Sequence, residues 1–325
     1  MNKPTIVSLV VGFLLGAGVV WMFKGSAEAP EKSKIDATGD QDLQVALDSN
    51  AVTYSSNKAD DTRLAKLKEL PRLRFIYLSG SKVTDNGLEN LDGMWQLEEL
   101  GLANTKVGDA GLKHITGIHS LKELYLSNTS VTGAGIKTLN PLSNLETLRL
   151  RGTKITDEDM QHITSFKRLR NLTLTQTPIG DEGLSSLSNM PGLESLWIGR
   201  TKVTDAGLAH VLGLKNLRVL SLRGDKISDE GIAKLAEMTS LVELYLDDTG
   251  IGDEALATVA QLPNLQTLTL GGTKVTKDGL KKLADAPALE NLSVDEATHD
   301  IAAAALADTD IDIIEITPGE LSVDE

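Results

Sequence analysis

The chain of 325 residues contains no cysteine, and aromatic residues make up only 3% of it. The absence of cysteine excludes disulfide bonds, thiolate metal sites and cysteine nucleophiles. The scarcity of aromatic side chains argues against an ordinary globular core, because these residues usually dominate the energetics of such cores. Leucine instead recurs at nearly regular intervals, which is typical of a repeat protein built from stacked aliphatic layers.

The chain also lacks an excess of basic residues. Its 32 lysine and arginine residues are outnumbered by 46 aspartate and glutamate residues, for a formal net charge of −14. Phosphate backbones need a basic surface, so this composition disfavours a nucleic acid partner. No G-x-x-x-x-G-K-[ST] motif and no G-x-S-x-G motif occur. The sequence therefore predicts a protein that is not an enzyme and binds no cofactor.

A long uncharged hydrophobic run occurs at the amino terminus, over residues 5–23. As a helix it would span about 28 Å, close to the hydrocarbon thickness of a bilayer. We therefore predict a transmembrane signal-anchor helix over residues 1–24 of a single-pass membrane protein, with the repeats on the extracytoplasmic side. The A-E-A sequence at 27–29 matches a signal-peptide cleavage pattern, so cleavage is the alternative, although Pro30 directly after it disfavours cleavage.

Small residues recur every four positions along one face of this predicted helix, at Ser8, Gly12 and Gly16. Such a face lets two membrane helices approach closely, so it predicts a homodimer formed through the membrane helix. Glycine is also frequent in membrane helices that do not dimerise. Residues 25–48 are polar and predict a flexible linker with an amino-terminal cap, and residues 317–325 predict an acidic carboxyl-terminal tail.

The remainder of the chain, residues 49–316, follows a period of 24 residues. The copy that starts at Leu193 reads LESLWIGRTKVTDAGLAHVLGLKN. In L-x-x-L-x-L the alternation predicts a short strand, and in G-L-x-x-L-x-x-L the spacing predicts a short helix. Neither element can bury its leucines alone, so about eleven repeats must stack. The leucines that open the ten clear copies are Leu73, Leu97, Leu121, Leu145, Leu169, Leu193, Leu217, Leu241, Leu265 and Leu289.

Stacking of these copies predicts a parallel sheet, and the bulkier helices predict a curved stack with strands on the concave face and helices on the convex face. The phrase T-x-V-T-D-x-G-L resembles the leucine-rich-repeat family, and within it the GALA or cysteine-containing subclass without its cysteine. This resemblance covers residues 49–316 and implies an α/β solenoid, a curved horseshoe. The polar segment over 25–48 is too short for the F-box that often precedes repeats of that subclass.

Polar residues that recur in the repeats are interpreted as structural. The threonine at the ninth repeat position, such as Thr105, is expected to bond the backbone of adjacent coils through its hydroxyl. The aspartate at the thirteenth position, such as Asp109, is expected to cap a helix, and the glycine two residues later to allow tight packing. His114, His162 and His210 lie two repeats apart, too far to share one metal ion, so no metal site is predicted.

Function is expected at the variable strand positions that face away from the core. Tyrosine, tryptophan and arginine are enriched at binding hot spots, and they occupy these positions in the middle of the array. The predicted partner-binding residues are Tyr125, Arg149, Arg151, Trp197, Arg200, Arg223 and Tyr245. An anionic group of the partner is predicted to dock at this basic centre. Acidic residues flank it on both sides, namely Glu99, Glu123, Glu243, Asp247, Asp248, Asp295 and Glu296. The alternatives are that aromatics simply favour strands and that the charges are merely solvated.

These features together predict a non-catalytic, membrane-anchored binding module that recognises a protein, or a glycan, on the concave face of its repeats. One alternative is a cytosol-facing adaptor that recruits client proteins to other machinery. Another is a structural or adhesive surface protein. The side of the membrane on which the repeats lie distinguishes the adaptor from the predicted binding module. Self-association of the repeat domain distinguishes the adhesive protein from that module.

Overall fold

The computed structural model of this chain describes residues 14–15, 18–19, 53–70 and 72–316. Near the amino terminus two strands of two residues each, β1 (Leu14–Leu15) and β2 (Gly18–Val19), pair in antiparallel orientation. These four residues therefore differ from the helix predicted over 1–24, a stretch in which three glycines lower the helical propensity. Within the described part of the chain, no helix has the length and apolar composition needed to cross a membrane.

The other predictions for the two ends of the chain fall outside the described residues. They concern the small-residue face of Ser8, Gly12 and Gly16, the linker over residues 25–48, and the acidic tail over residues 317–325. All three stay predictions, together with the homodimer that the small-residue face implies.

From residue 53 to residue 316 the chain forms one parallel sheet of twelve strands, arranged in sequence order. Leu100 lies beside Leu124, and Leu124 lies beside Leu148, so equivalent residues of successive coils are neighbours. This register confirms the predicted solenoid of stacked coils. The strands are β3 (Thr53–Ser55), β4 (Phe75–Tyr77), β5 (Glu99–Gly101), β6 (Glu123–Tyr125), β7 (Thr147–Arg149), β8 (Asn171–Thr173), β9 (Ser195–Trp197), β10 (Val219–Ser221), β11 (Glu243–Tyr245), β12 (Thr267–Thr269), β13 (Asn291–Asp295) and β14 (Asp312–Ile316).

Short helices close the other side of the coils and pack against the helices of neighbouring coils. The α-helices are α1 (Asp61–Leu67), α2 (Asp85–Leu88), α3 (Asp109–Leu112), α4 (Gly133–Thr138), α5 (Met160–Ile163), α6 (Asp181–Leu187), α7 (Leu208–Val211), α8 (Asp229–Ala233), α9 (Asp253–Val259), α10 (Lys277–Leu280) and α11 (Glu296–Ala305). Turns of 3-10 helix cover Glu89–Leu91, Lys113–Ile115, Asp157–Asp159, Lys234–Glu237 and Lys281–Asp285.

One continuous core lies between the strands and the helices. Leucines from both elements are fully buried in it, as Leu172 of β8 and Leu256 of α9 are. Among the described residues, Tyr54 and Phe166 are the only aromatic members of this core. The composition therefore predicted an aliphatic core correctly. Layers of aliphatic side chains fill the space that aromatic residues fill in an ordinary globular domain.

The repeated aspartates connect neighbouring coils, which differs from their predicted role as helix caps. Asp109 is the first residue of α3, not the residue before it. Its carboxylate accepts hydrogen bonds from the backbone N–H and the hydroxyl of Thr132 in the next coil, at 2.8 and 2.6 Å. The aspartates that accept the same pair of bonds are Asp61, Asp181, Asp205 and Asp253. Those that accept only the backbone bond, because the next coil has glycine at the donor position, are Asp85, Asp157 and Asp229. These charge-assisted bonds hold the helical side of the stack together.

The ninth-position threonines bond within their own coils, so the prediction that they link adjacent coils was wrong. The hydroxyl of Thr105 donates to the carbonyl of Leu102, at 2.6 Å. The short side chain reaches only the carbonyl three residues back, where it completes the turn that follows the strand. The other threonines with the same bond are Thr129, Thr153, Thr177, Thr249 and Thr273. Thr201 is different, because its hydroxyl donates to Asp225 of the next coil, at 3.1 Å.

In most coils a glycine lies two residues after the aspartate position and makes room for the aspartate of the preceding coil. A Cβ atom at Gly207 would lie 2.3 Å from Oδ1 of Asp181, and one at Gly111 would lie 2.6 Å from Oδ1 of Asp85. Both distances are far below van der Waals contact, so a side chain cannot be added without displacing the carboxylate. The aspartate and the glycine of the next coil therefore form one structural unit.

One coil contains this unit in reverse. Gly133 occupies an aspartate position, and Asp159 occupies the glycine position of the next coil. The Asp159 carboxylate lies where a side chain at residue 133 would lie, with its Cβ 2.7 Å from a Cβ built on Gly133. It accepts from the backbone N–H and the hydroxyl of Thr156, both at 2.9 Å. The same two donors are thus satisfied from within the coil instead of from the coil before it.

Candidate functional site

The strand face is defined here as the side of the sheet that points away from the core, formed by the third, fifth and seventh residues of each coil. Neighbouring strands place equivalent side chains about 4.8 Å apart on it. From β4 to β13 its fifth-position row consists of Tyr77, Gly101, Tyr125, Arg149, Thr173, Trp197, Ser221, Tyr245, Thr269 and Ser293. Four of the seven predicted partner-binding residues belong to this row. Arg151 and Arg223 belong to the seventh-position row, and Arg200 is at the adjoining eighth position.

Arg149 and Tyr125 contact each other on the strand face. The Arg149 guanidinium lies 4.9 Å from the centre of the Tyr125 ring, a cation–π arrangement. The Tyr125 hydroxyl donates to the Glu123 carboxylate. Burial and this hydrogen bond raise the pKa of Tyr125, and burial also raises the pKa of Glu123. The structure therefore brings an arginine, a ring and a carboxylate together where the sequence predicted only the first two.

Trp197 and Tyr245 also lie in the fifth-position row, but they are largely covered. Their ring centres are 4.8 Å apart, and the side chains are 7% and 5% exposed. The indole N–H donates to Ser195 Oγ at 2.8 Å, and the Tyr245 hydroxyl donates to Glu243 at 2.6 Å. Together with Val219 the two rings form a small apolar cluster. A partner can touch only their edges, so their main effect is to hold the neighbouring side chains in place.

Arg200 and Arg223 converge on an acidic residue that the sequence had placed in the flank. Nη2 of Arg200 and Nε of Arg223 each lie 3.6 Å from Oδ2 of Asp248. Arg151 does not take part in this group. Its Nε donates to Oε1 of Gln176 at 3.4 Å. The basic centre is therefore divided, with Arg149 and Arg151 on one side and an arginine–aspartate group on the other.

The eighth repeat position is a left-handed turn, and this determines where the side chains there point. Gln176, Arg200 and Asp248 have φ values of 59°, 57° and 57°, while Gly152 and Gly224 have 66° and 70°. Left-handed backbone favours glycine, which is why glycine recurs at this position. Sequence reasoning did not identify Gln176 or Asp248 as parts of the site. The alternation of glycine with polar residues at one repeat position was the signal that could have identified them.

Two carboxylates in this part of the solenoid are buried. Asp225 is 3% exposed and occupies a ninth position, and its Oδ1 accepts from the backbone N–H of Thr201 at 2.7 Å. Burial raises the pKa of Asp225 to about 7. Asp247 is 1% exposed and accepts from the N–H of Gly271 at 2.9 Å, and burial raises its pKa as well. No group of histidine, aspartate and glutamate side chains in the described part of the chain is arranged to hold a metal ion.

This architecture, a parallel sheet of equivalent short strands backed by short helices, defines a solenoid with one open face. A family profile described as "Leucine-rich repeat region" matches residues 51–308. The match covers most of the chain, and the chain therefore belongs to the leucine-rich repeat family. Proteins of this kind commonly bind other proteins through such faces and are typically not catalytic. A comparison with curated proteins gives no match.

Solved structures of two internalins from Listeria monocytogenes str. 4b F2365 are similar to this chain. Internalin inlF matches with a TM-score of 0.61 and 18% identity, over 87% of this chain and 91% of that chain. Internalin C2 matches with a TM-score of 0.49 and 23% identity, over 65% of this chain and 83% of that chain. The likeness to inlF shows a shared fold. The GALA or cysteine-containing subclass stays a prediction from the repeat phrase.

Proposed function

We propose that the strand face is a concave protein-binding surface whose centre extends from Tyr125 to Arg223. The observation that carries this proposal is the contact of Arg149 with the Tyr125 ring on the open side of the sheet. Side chains of successive coils hold one another there, so they lose little conformational freedom when a partner binds. Arginine and tyrosine fixed in this way are the residue types that most often carry binding energy.

The strand face suits a protein partner better than it suits a glycan. Sugar rings typically stack on an exposed, flat aromatic face. Trp197 and Tyr245 are buried against each other, and Arg149 lies over the Tyr125 ring. The strand face instead offers guanidinium groups with carboxylates close by, which suit the mixed charges of a protein surface.

Replacement of both Arg149 and Arg151 by alanine is expected to weaken partner binding. The partner is first captured by crosslinking of the full-length protein in its native cells, and its Kd is then measured by calorimetry. Loss of two central arginines should raise Kd by about 10- to 100-fold. Arg168→Ala removes one positive charge from an exposed residue outside the strand face and should leave Kd unchanged. Equal affinity of the double variant and the wild type would show that the partner binds elsewhere.

We also propose that the amino-terminal segment anchors the protein in a membrane with the repeats on the extracytoplasmic side. The support for this is the uncharged run over residues 5–23. The chain should remain in the membrane pellet after alkaline carbonate extraction, and protease added to intact cells should degrade the repeats. Release by carbonate would contradict the anchor. Protection from protease together with retention in the membrane would support the cytosol-facing adaptor instead, which the lysines on both sides of the run also permit.

A further inference from the structure

We propose that Arg151 and Thr175 form a notch that binds a single carboxylate of the partner, the side chain of an aspartate or glutamate. This inference rests on the proposed function of the strand face and names the chemical group that the face recognises. The two residues occupy the seventh position of adjacent coils, two residues after the ends of β7 and β8. The backbone confirms that they are neighbours, since the N–H of Gly152 donates to the carbonyl of Thr175 at 2.9 Å.

Both residues contain a buried polar atom without a hydrogen-bond partner, Nη1 of Arg151 and Oγ1 of Thr175. Thr175 as a whole is only 3% exposed. Buried polar groups in native proteins nearly always have a partner, so two such atoms at equivalent places in adjacent coils need an explanation. Thr177, two residues further on and equally buried, has an ordinary arrangement, in which its hydroxyl donates to the carbonyl of Leu174 at 2.6 Å.

The side chain of Arg151 is directed toward the coil of Thr175. Its Nε donates to Gln176, the residue after Thr175, so the guanidinium extends from its own coil over the next one. A carboxylate has two oxygens, of which one can accept from the guanidinium and the other from the threonine hydroxyl. Since neither of the two donor atoms has a partner to give up, only the 3.4 Å bond to Gln176 opposes a shift of Arg151 toward the ligand.

Between Arg151 and Arg223 the seventh-position row contains only small residues, which gives a ligand room to approach. The residues between them are Thr175 and Gly199. Glycine is required at 199 because a Cβ there would lie 2.7 Å from the backbone oxygen of Arg223. Arg223 itself extends away from the notch, toward Asp248. One guanidinium and one hydroxyl suit a singly charged carboxylate, whereas a phosphate group has a further acceptor oxygen and more charge to neutralise.

The test uses the full-length protein and a fluorescein-labelled hexaglutamate peptide, with Kd measured by fluorescence anisotropy at low ionic strength. Thr175→Val keeps the size and the charge of the residue and removes only the hydroxyl, and we expect Kd to rise by about 10-fold. Arg151→Gln is expected to raise Kd by about 10- to 100-fold. Arg168→Gln is the matched control for the charge and should change Kd by less than about 2-fold.

Thermal unfolding of the same variants shows whether a change in Kd reflects damage to the fold. Thr175→Val should have a Tm equal to or above that of the wild type, because it removes a buried hydroxyl without a partner. If Thr175→Val binds hexaglutamate as the wild type does, the attraction is only general electrostatics and the notch is disproved. Absence of hexaglutamate binding, or tighter and hydroxyl-independent binding of a hexaphosphoserine peptide, would also overturn it. The response of the captured partner to the Arg149 and Arg151 double variant would still decide the proposed function.

Discussion

Gly133→Asp is expected to destabilise the protein by about 2 to 4 kcal/mol, although it restores the aspartate found at this position in most other coils. The reason is the reversed unit formed with Asp159. A Cβ on residue 133 would lie 2.7 Å from the Cβ of Asp159, a distance that side-chain rotation cannot relieve. Two carboxylates would also be forced together in a partly buried place, which raises the free energy of the native state further.

Addition of Asp159→Gly to the Gly133→Asp variant is expected to restore most of the lost stability. The aspartate introduced at position 133 would then face Thr156 and the glycine introduced at position 159, just as Asp109 faces Thr132 and Gly135, and its carboxylate would accept from both Thr156 donors. Asp159→Gly alone should cost about 1 kcal/mol, because Thr156 is exposed and water can replace the lost acceptor. We therefore expect the double variant to lie within about 1 kcal/mol of the wild type.

Urea unfolding of the wild type, the two single variants and the double variant measures the coupling between residues 133 and 159 directly. The m-value is used to confirm that the same unit unfolds in each protein. Ala134→Asp is the control, since it adds the same charge at an exposed neighbouring residue and should change stability by less than about 0.5 kcal/mol. Additive effects of Gly133→Asp and Asp159→Gly would mean that the two residues do not exchange roles, and the proposed inter-coil unit would be incorrect.

The fold could be predicted from the sequence because a strict period sets both the local elements and their register. Once Leu124 and Leu148 occupy the same repeat position, stacking leaves one register for the strands, and the structure has that register. The roles of the repeated polar residues could not be predicted in the same way. Asp109 and Thr132 are 23 residues apart, and only the three-dimensional stack shows that the carboxylate of one coil meets the donors of the next.

The candidate site was predictable in position but not in detail. Alternation along the strands correctly placed Arg149 and Trp197 on the side of the sheet away from the core. It could not show that the Trp197 ring would be covered by Tyr245, because that depends on how far two large side chains two coils apart lean toward each other. Asp248 was assigned to an acidic flank, since nothing in the sequence shows that a left-handed turn directs its side chain toward Arg200 and Arg223.

Asp225→Thr is expected to stabilise the protein at neutral and alkaline pH but not in acid. Burial raises the pKa of Asp225 from its ordinary 3.8 to about 7, because Oδ2 is buried without a hydrogen-bond partner. A raised pKa in the folded state means that the contribution of Asp225 to stability is fully present below pH 3.8 and is lost as the pH rises through about 7. Above that pH the ionised carboxylate weakens the fold by an amount on the order of 4 kcal/mol at most.

Threonine is the suitable replacement because it occupies the same position in most other coils, where its hydroxyl donates to the carbonyl three residues back. In the variant the hydroxyl of residue 225 can donate to Leu222, and the hydroxyl of Thr201 can return to the carbonyl of its own coil. We expect a gain of about 2 to 4 kcal/mol at about pH 8 and little difference at about pH 4. Urea unfolding at both pH values measures the gain, with the exposed Asp285→Asn as control. A gain of the same size at both pH values would show that packing, not ionisation of Asp225, limits stability in this coil.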